Sequence, residues 1–377
     1  MSFSATLSFG PAEEALRARV RAWLAGHDPG PPPEEYAGRL AAQVSWQREL
    51  HAAGFMGLSW PERFGGAGLD IASEAVLAEE LAASGMPELI NRIGVYMIGP
   101  TLMDMGDESQ QERFLPGMLS ASELWCQGFS EPGAGSDLAA VRTVGRVGDD
   151  DVVISGQKVW TSRAGIARWC AALVRTERGS ERHRGLSMAI VDMRSPGVTV
   201  QPLPQILNEP HFNEVFFDEV RVPLRDVIGG LGAGWKVAMQ MLGYERGLFV
   251  LERQIRLRGR LDELAAAVRD RADAAVRRRI GAVAAELDLL ECVVYRTLAA
   301  QRAGTLRPGA TSVDKLLLSH AYQELFAAAV ELLGPDVARG ANGWTHDLLE
   351  SRAVSIYGGT TEIQHGIVAR QLLGLKA

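Results

Sequence analysis

Three textures follow one another along the chain. Between residues 11 and 122 apolar positions recur at helical spacing. Pro11 with Glu13 and Glu14 opens PAEEALRARVRAWLA as helices open, and PGPPPEE (29–35) reads as a loop. EYAGRLAAQVSWQRELHAAG is a helix closing at Gly54, a C′ glycine. Asp70 caps IASEAVLAEELAAS, and Gly85 with Pro87 breaks it. From 123 to 230 the pattern alternates and β-branched and aromatic residues concentrate. DVVISGQKVWTS predicts two short strands around Gly156, followed by ARWCAALVRT, LSMAIVDM, GVTVQPLP and HFNEVFFDEVRVP. From 231 onward long helical patterns return. The stretch from Gly234 to Asp270 reads as one helix, with Gly243 or Gly247 as the place for a break, and three further helices close the chain. The expected fold class is α+β: an N-terminal helical domain (1–122), a central antiparallel β domain (123–230) and a C-terminal helical bundle (231–377).

Composition narrows the function classes. A chain of 377 residues with 47% hydrophobic and 23% charged residues can bury a large core and is not disordered. The net charge of −7 leaves no basic footprint for nucleic acid or an anionic membrane. No apolar run approaches the roughly 20 residues of a spanning helix. Cys126, Cys170 and Cys292 are odd in number and lack metal-ligand spacing, as do the seven histidines, so neither a disulfide framework nor a metal site is expected. The N-terminus has no basic stretch leading into an apolar one, so a cytoplasmic enzyme is expected. Lysine occurs only at 158, 236, 315 and 376, which reads as codon bias.

Chemistry concentrates in segments dense in Gly, Pro, aromatic and charged residues: SWPERFGGAGLD (59–70), QGFSEPGAGSDLAAVRT (127–143), GQKVWTSRAG (156–165), HFNEVFFDEVRVP (211–223) and SIYGGTTEIQHGIVAR (355–370). In Glu131-Pro132-Gly133-Ala134-Gly135-Ser136-Asp137 the glycines permit close backbone approach, and the amides could receive a phosphate oxygen. The alternative is a plain Gly-rich β-domain loop. Trp160 could be a core residue or a ring platform.

Together these segments resemble the acyl-CoA dehydrogenase family of flavoproteins. Trp-Pro…Gly-Gly, Ser-Glu-Pro-x-x-Gly-Ser-Asp, Gly-x-Lys-x-Trp, Asn-Glu-Val-x-Phe and Tyr-x-Gly-Thr-x-x-Ile-Gln occur in family order over the whole chain. The resemblance implies an FAD cofactor, lined by Gln127, Phe129, Ser130, Gly135, Ser136, Trp160, Thr161, Ser162, Thr360 and Glu362. Ser130 stands where many members have Thr, and Glu362 where many have Gln. It also implies an acyl-CoA substrate, a trans-2-enoyl product, electron-transferring flavoprotein as partner and a homotetramer.

The catalytic base departs from the commonest family pattern. Many members carry it as Glu directly after the Tyr of the C-terminal loop; here that residue is Gly358. Another branch places the base on a helix, one residue before an Arg, and Glu245 in Leu242-Gly243-Tyr244-Glu245-Arg246 matches that place. The resemblance then makes Glu245 the acceptor of the α-proton while flavin N5 takes the β-hydride. The Gly358 N–H would be a donor to the thioester oxygen, and Tyr357 a wall of the substrate pocket. Two further departures, Arg269-Asp270-Arg271-Ala272-Asp273 and LLGPDVARGANGW (332–344), fall where neighbouring subunits contact FAD in the family. Two other readings stay open: a non-catalytic, FAD-supporting subunit of a mixed tetramer, and a flavin oxidase or monooxygenase on the same fold.

Overall fold

The computed structural model describes residues 9–207, 209–244, 248–271, 273–339 and 343–375. They fall into two compact units, one within Met1–Asp28, Leu69–Glu88 and Arg246–Ala377, the other within Pro29–Gly68 and Leu89–Glu245. Helices occupy the N-terminal part (α1, Pro11–Leu24; α2, Tyr36–Ala52; α3, Ile71–Ala83; α4, Gly99–Met105; α5, Glu108–Leu119). A sheet follows (β1, Trp125–Gly128; β2, Val144–Val147; β3, Asp151–Ser162; β4, Trp169–Arg175; β5, Leu186–Asp192; β6, Val198–Pro202; β7, Phe212–Pro223; β8, Val227–Ile228). Helices then resume (α6, Gly234–Tyr244; α7, Leu248–Ala267; α8, Ala274–Arg302; α9, Ala310–Leu333; α10, Pro335–Ala338; α11, Trp344–Ala353; α12, Thr361–Ile367). No helix among the described residues is long and apolar enough to cross a membrane.

The start and stop signals act as the sequence indicates. Asp70 Oδ1 accepts from the N–H groups of Ala72 at 3.0 Å and Ser73 at 3.4 Å, capping α3. Gly54 and Gly85 take left-handed φ of +74° and +69° just past α2 and α3. From Gly234 to Asp270 there are two long helices, α6 and α7, in different units; the interval between them, 245–247, lies outside the described residues and includes Gly247, one of the two places expected for a break.

In the first unit α3 is buried along most of its length, including Glu79 and Glu80. Arg17 of α1 meets Glu79 at 2.7 Å and Glu80 at 2.6 Å, Arg21 meets Glu80 at 2.7 Å, and the Tyr295 hydroxyl of α8 donates to Glu79 at 2.5 Å. Two guanidinium groups and a phenol thus let an acidic helix pack inside. Deeper still, Asp314 of α9 is 1% exposed and accepts from the Thr297 hydroxyl of α8 at 3.0 Å. Burial pushes its carboxyl up to about 7.

The second unit is built on one eight-stranded sheet in the order β6-β7-β3-β2-β4-β5-β8, with β1 added on β4. Most pairings are antiparallel as expected, but β1 and β2 each run parallel to β4. β1 is set by Asn91, whose Oδ1 accepts from the Trp125 N–H at 2.9 Å while its Nδ2 donates to the Met118 carbonyl at 2.9 Å. DVVISGQKVWTS is one strand rather than two. Its register slips at Gly156, where a Cβ would come within 2.7 Å of Thr143 Oγ1. The glycine therefore marks a bulge within a strand, which a sequence pattern cannot tell from a turn between two. The Trp-Pro…Gly-Gly segment is packing: a Cβ on Gly66 would sit 2.2 Å from the Trp60 carbonyl, and one on Gly99 would sit 2.3 Å from the Trp60 ring.

Beside Gly156, Lys158 of β3 is fully buried and pairs with Glu131 at 2.7 Å. Its ammonium also donates to the Phe129 carbonyl at 3.1 Å, and Glu131 accepts from the N–H groups of Arg142 at 2.6 Å and Thr143 at 2.9 Å. Burial works against both charges. At Glu131 the ammonium and the amides outweigh it and hold the carboxyl below its ordinary value, while at Lys158 burial prevails and lowers the amine.

Two outcomes test these interiors. Lys158→Met leaves the Glu131 carboxylate buried without its cation, and should lower the unfolding free energy by about 3–5 kcal/mol in denaturant titration. Asp314 binds its proton more tightly folded than unfolded. Its contribution to stability is complete below its ordinary value of 3.8 and is lost as pH rises through about 7. Asp314→Asn should flatten that decline in thermal midpoints measured between pH 4 and pH 8; an unchanged slope refutes the assignment.

Candidate active site

The residues marked by the sequence fall into two groups, one in each unit. In the sheet unit, β1 carries Gln127, half-buried, and leads through Gly128 to Phe129 and Ser130. A Cβ on Gly128 would lie 2.9 Å from Cys170 Sγ, so β1 lies tight on β4. Phe129 is buried and Ser130 half-buried. The Ser130 carbonyl accepts from the Val159 N–H at 2.9 Å, which brings the 127–130 segment beside the Trp160 strand. Beyond Glu131, the residues Gly135 and Ser136 are exposed, and a Cβ on Gly133 or Gly135 would meet nothing within 4 Å.

β3 slips register a second time between Lys158 and Thr161, and Trp160 lies in that slip. Its backbone is left-handed, φ +59°, which costs a bulky L-residue strain. Its ring is 57% exposed and meets Phe212 edge-on at 5.9 Å. The core reading of Trp160 is thereby removed, because the bulge turns the side chain outward. The next residue turns inward. Thr161 is 1% exposed, and its hydroxyl Oγ1 meets no hydrogen-bond partner among the described residues. A buried hydroxyl without a partner is uncommon and calls for one. Ser162, half-buried, ends the strand opposite Phe212.

The bulge is held by a residue the sequence reading passed over. Asn213 is buried, and its Nδ2 donates to the Thr161 carbonyl at 3.1 Å and the His211 carbonyl at 3.3 Å. The signal was present in the Asn-Glu-Val-x-Phe segment, read there only as family pattern. The Lys158–Glu131 pair likewise sits inside two of those segments, and the sequence carries no sign that the two residues meet.

In the helical unit, the segment between α11 and α12 carries Tyr357, Gly358 and Thr360. Tyr357 is half-buried, edge-on to Phe249 at 6.5 Å, with Lys315 Nζ 5.1 Å from its ring centre. Gly358 and Gly359 have φ of +64° and +90°. A glutamate at 358 would take a left-handed backbone, so this loop is shaped for a glycine at that place. Thr360 caps α12, its Oγ1 accepting from the Ile363 N–H at 3.3 Å. Glu362, exposed in the first turn, is held below its ordinary value by backbone and Thr360 hydrogen bonds.

Glu245 lies outside the described residues, as do Ala272 and residues 340–342 of the two departing segments. The last described residue before Glu245 is firmly anchored. The Tyr244 hydroxyl donates to Asp104 Oδ2, and Gln240 Nε2 donates to the same oxygen at 2.9 Å. Burial, then Asp104, pushes the Tyr244 phenol up to about 12. The one cluster with metal-ligand spacing among the described residues, His346, Asp347 and Glu350, is engaged by cations. Arg260 meets Asp347 at 2.9 Å and Arg253 meets Glu350 at 3.3 Å.

What this arrangement resembles is specific. The N-terminal, middle and C-terminal domains of acyl-CoA dehydrogenase match residues 10–122, 126–220 and 232–373. The chain is 40% identical to acyl-CoA dehydrogenase IpdE1 of Mycobacterium tuberculosis over 381 residues, covering 96% of this chain and 97% of the relative. It is 39% identical to IpdE1 of Mycolicibacterium smegmatis over 391 residues, covering 96% and 97%. Among solved structures, the Tcur3481-Tcur3483 steroid ACAD superposes with a TM-score of 0.87 at 26% identity, over 98% of this chain and 99% of that one. The ChsE4-ChsE5 complex from M. tuberculosis gives 0.85 at 26%, over 99% and 100%. With all three domains matched in order, the chain belongs to the acyl-CoA dehydrogenase family.

Proposed function

We propose that this protein is an FAD-dependent dehydrogenase that converts a bulky acyl-CoA, of the steroid-derived kind, to its trans-2-enoyl thioester. The observation that carries the reading is the β3 slip. It sets an exposed Trp160 beside a buried, unpartnered Thr161 hydroxyl. A flat ring to lie against and a donor in need of an acceptor fit one edge of an isoalloxazine. FAD, when bound, supplies the acceptor for two electrons.

The chain's own residues do the rest. Gln127, Phe129, Ser130 and Ser162 line the ring with Trp160 and Thr161. Gly135 and Ser136 leave open backbone for the diphosphate, and Thr360 and Glu362 contact the remaining part. Glu245 takes the α-proton. The Gly358 N–H donates to the thioester oxygen as negative charge gathers there, and Tyr357 walls the pocket. The substrate class rests on the company the chain keeps: the structurally similar Tcur3481-Tcur3483 is named a steroid ACAD. The reading includes a cytoplasmic location and electron-transferring flavoprotein as acceptor of the electrons.

A mixed tetramer is the second reading. It is favoured by Gly358 and by two structural relatives, each named as a pair of chains. In that case this chain alone would hold FAD but reduce it only alongside a related chain.

The purified protein should carry about one FAD per subunit, and anaerobic addition of steroid side-chain acyl-CoAs should bleach it faster than short linear ones. Protein that cannot be reconstituted with FAD refutes the flavoenzyme reading. Glu245→Gln keeps size and hydrogen bonding, so FAD and acyl-CoA should still bind. Flavin reduction should slow by about 10²–10⁴-fold, roughly 3–5 kcal/mol of barrier. Exchange of the α-hydrogen with deuterated water should slow with it. Reduction at the wild-type rate would falsify the role of Glu245, and bleaching only after mixing with a related chain would favour the mixed tetramer.

A further inference from the structure

Gln364 is 1% exposed and stands in the first turns of α12. Its Nε2 donates to the Gly358 carbonyl at 2.7 Å and, more weakly, to the Gly359 carbonyl at 3.4 Å. Facing two carbonyl oxygens, that end of the carboxamide is the amine end. The other end, Oε1, is buried without a partner among the described residues. The side chain thus serves the loop at the expense of its own acceptor. Gly359 makes room for it: a Cβ there would lie 2.4 Å from Gln364 Nε2. The loop is also held at its start, where Lys315 Nζ donates to the Val354 carbonyl, and across its neck, where the Thr361 N–H donates to the Ser355 carbonyl at 3.1 Å.

Amid these contacts, the Gly358 N–H meets no acceptor among the described residues. A glycine at φ +64° would ordinarily be free to turn its amide away. Here its carbonyl is pinned by a buried carboxamide.

We propose that Gln364 is the positioning residue that keeps the Gly358 N–H aimed at the thioester oxygen of the acyl-CoA. The proposal rests on the acyl-CoA dehydrogenase reading given above. When the α-C–H bond breaks, the proton goes to Glu245 and its electron pair moves into the enolate, leaving negative charge on the thioester oxygen. A donor fixed beforehand stabilises that charge without reorganising at the moment of reaction. Gln364 touches neither substrate nor cofactor in this scheme and acts through Gly358 alone.

The test uses FAD-loaded protein and a 2,4-dienoyl-CoA probe, whose absorption moves to the red when its carbonyl oxygen accepts a hydrogen bond. Gln364→Leu removes the donor and keeps the bulk. FAD content should stay at the wild-type level and the probe's dissociation constant within about threefold, while the red shift falls by about half or more. Flavin reduction by acyl-CoA should slow about tenfold or more at saturation, the pattern of a lost transition-state interaction. Gly359→Ala, whose methyl displaces Nε2 while leaving Gln364 in place, should lose the shift in the same way. A full wild-type shift in Gln364→Leu overturns the proposal. So does loss of FAD from both variants, because a residue that only aims the amide leaves the cofactor bound. A wild-type complex with no shift at all overturns the dehydrogenase reading, and this proposal with it.

Discussion

The sheet unit depends on one buried ion pair. An ammonium with no exposure costs much to desolvate, and Lys158 is tolerated because Glu131, a carbonyl and two backbone amides complete the network around it. Such a pair contributes little net stability against an apolar substitute of the same shape. Its consequence is geometric. It ties the turn after β1 to the middle of β3, two residues before Trp160. The bulge that exposes Trp160 and buries Thr161 therefore begins from a fixed point.

The helical unit solves a related problem with a different pairing. α3 carries Glu79 and Glu80 into the interior, and Arg17, Arg21 and Tyr295 reach them from α1 and α8. Segments far apart in the chain are thus joined by charge complementarity as well as by apolar contact. The compact units are accordingly made of segments discontinuous in the chain, whereas the hydrophobic pattern divides it into three consecutive ones.

Local signals were legible and long-range ones were not. Asp70, Gly54 and Gly85 punctuate helices through contacts within a few residues, and the structure uses each as the pattern indicates. The period of β3 was readable, but whether Gly156 turned the chain or bulged it depends on Thr143, a partner on another strand. Trp160 could be assigned to core or surface only once the second register slip was known. The lysines are the clearest loss. Their scarcity was read as codon usage, yet two of the four, Lys158 and Lys315, are buried at points that hold loops. The slim stem and small charged head of lysine reach where the broad guanidinium of arginine is harder to fit. In an arginine-rich chain, a retained lysine was itself a signal. The candidate site was found by family pattern, and its supports, Asn213 and Gln364, became visible only as hydrogen bonds.

The paired left-handed glycines at 358 and 359 narrow what this loop can carry. A carboxylate placed at 358 would meet a backbone that disfavours any side chain by roughly 1–2 kcal/mol. Relaxing that backbone would move the carbonyls on which Gln364 closes. An acid at this place in the loop therefore needs more than one substitution, because the backbone and the Gln364 contacts must change together. As folded, the loop presents backbone amide and carbonyl groups at 358 and 359 far more easily than it would present an acid.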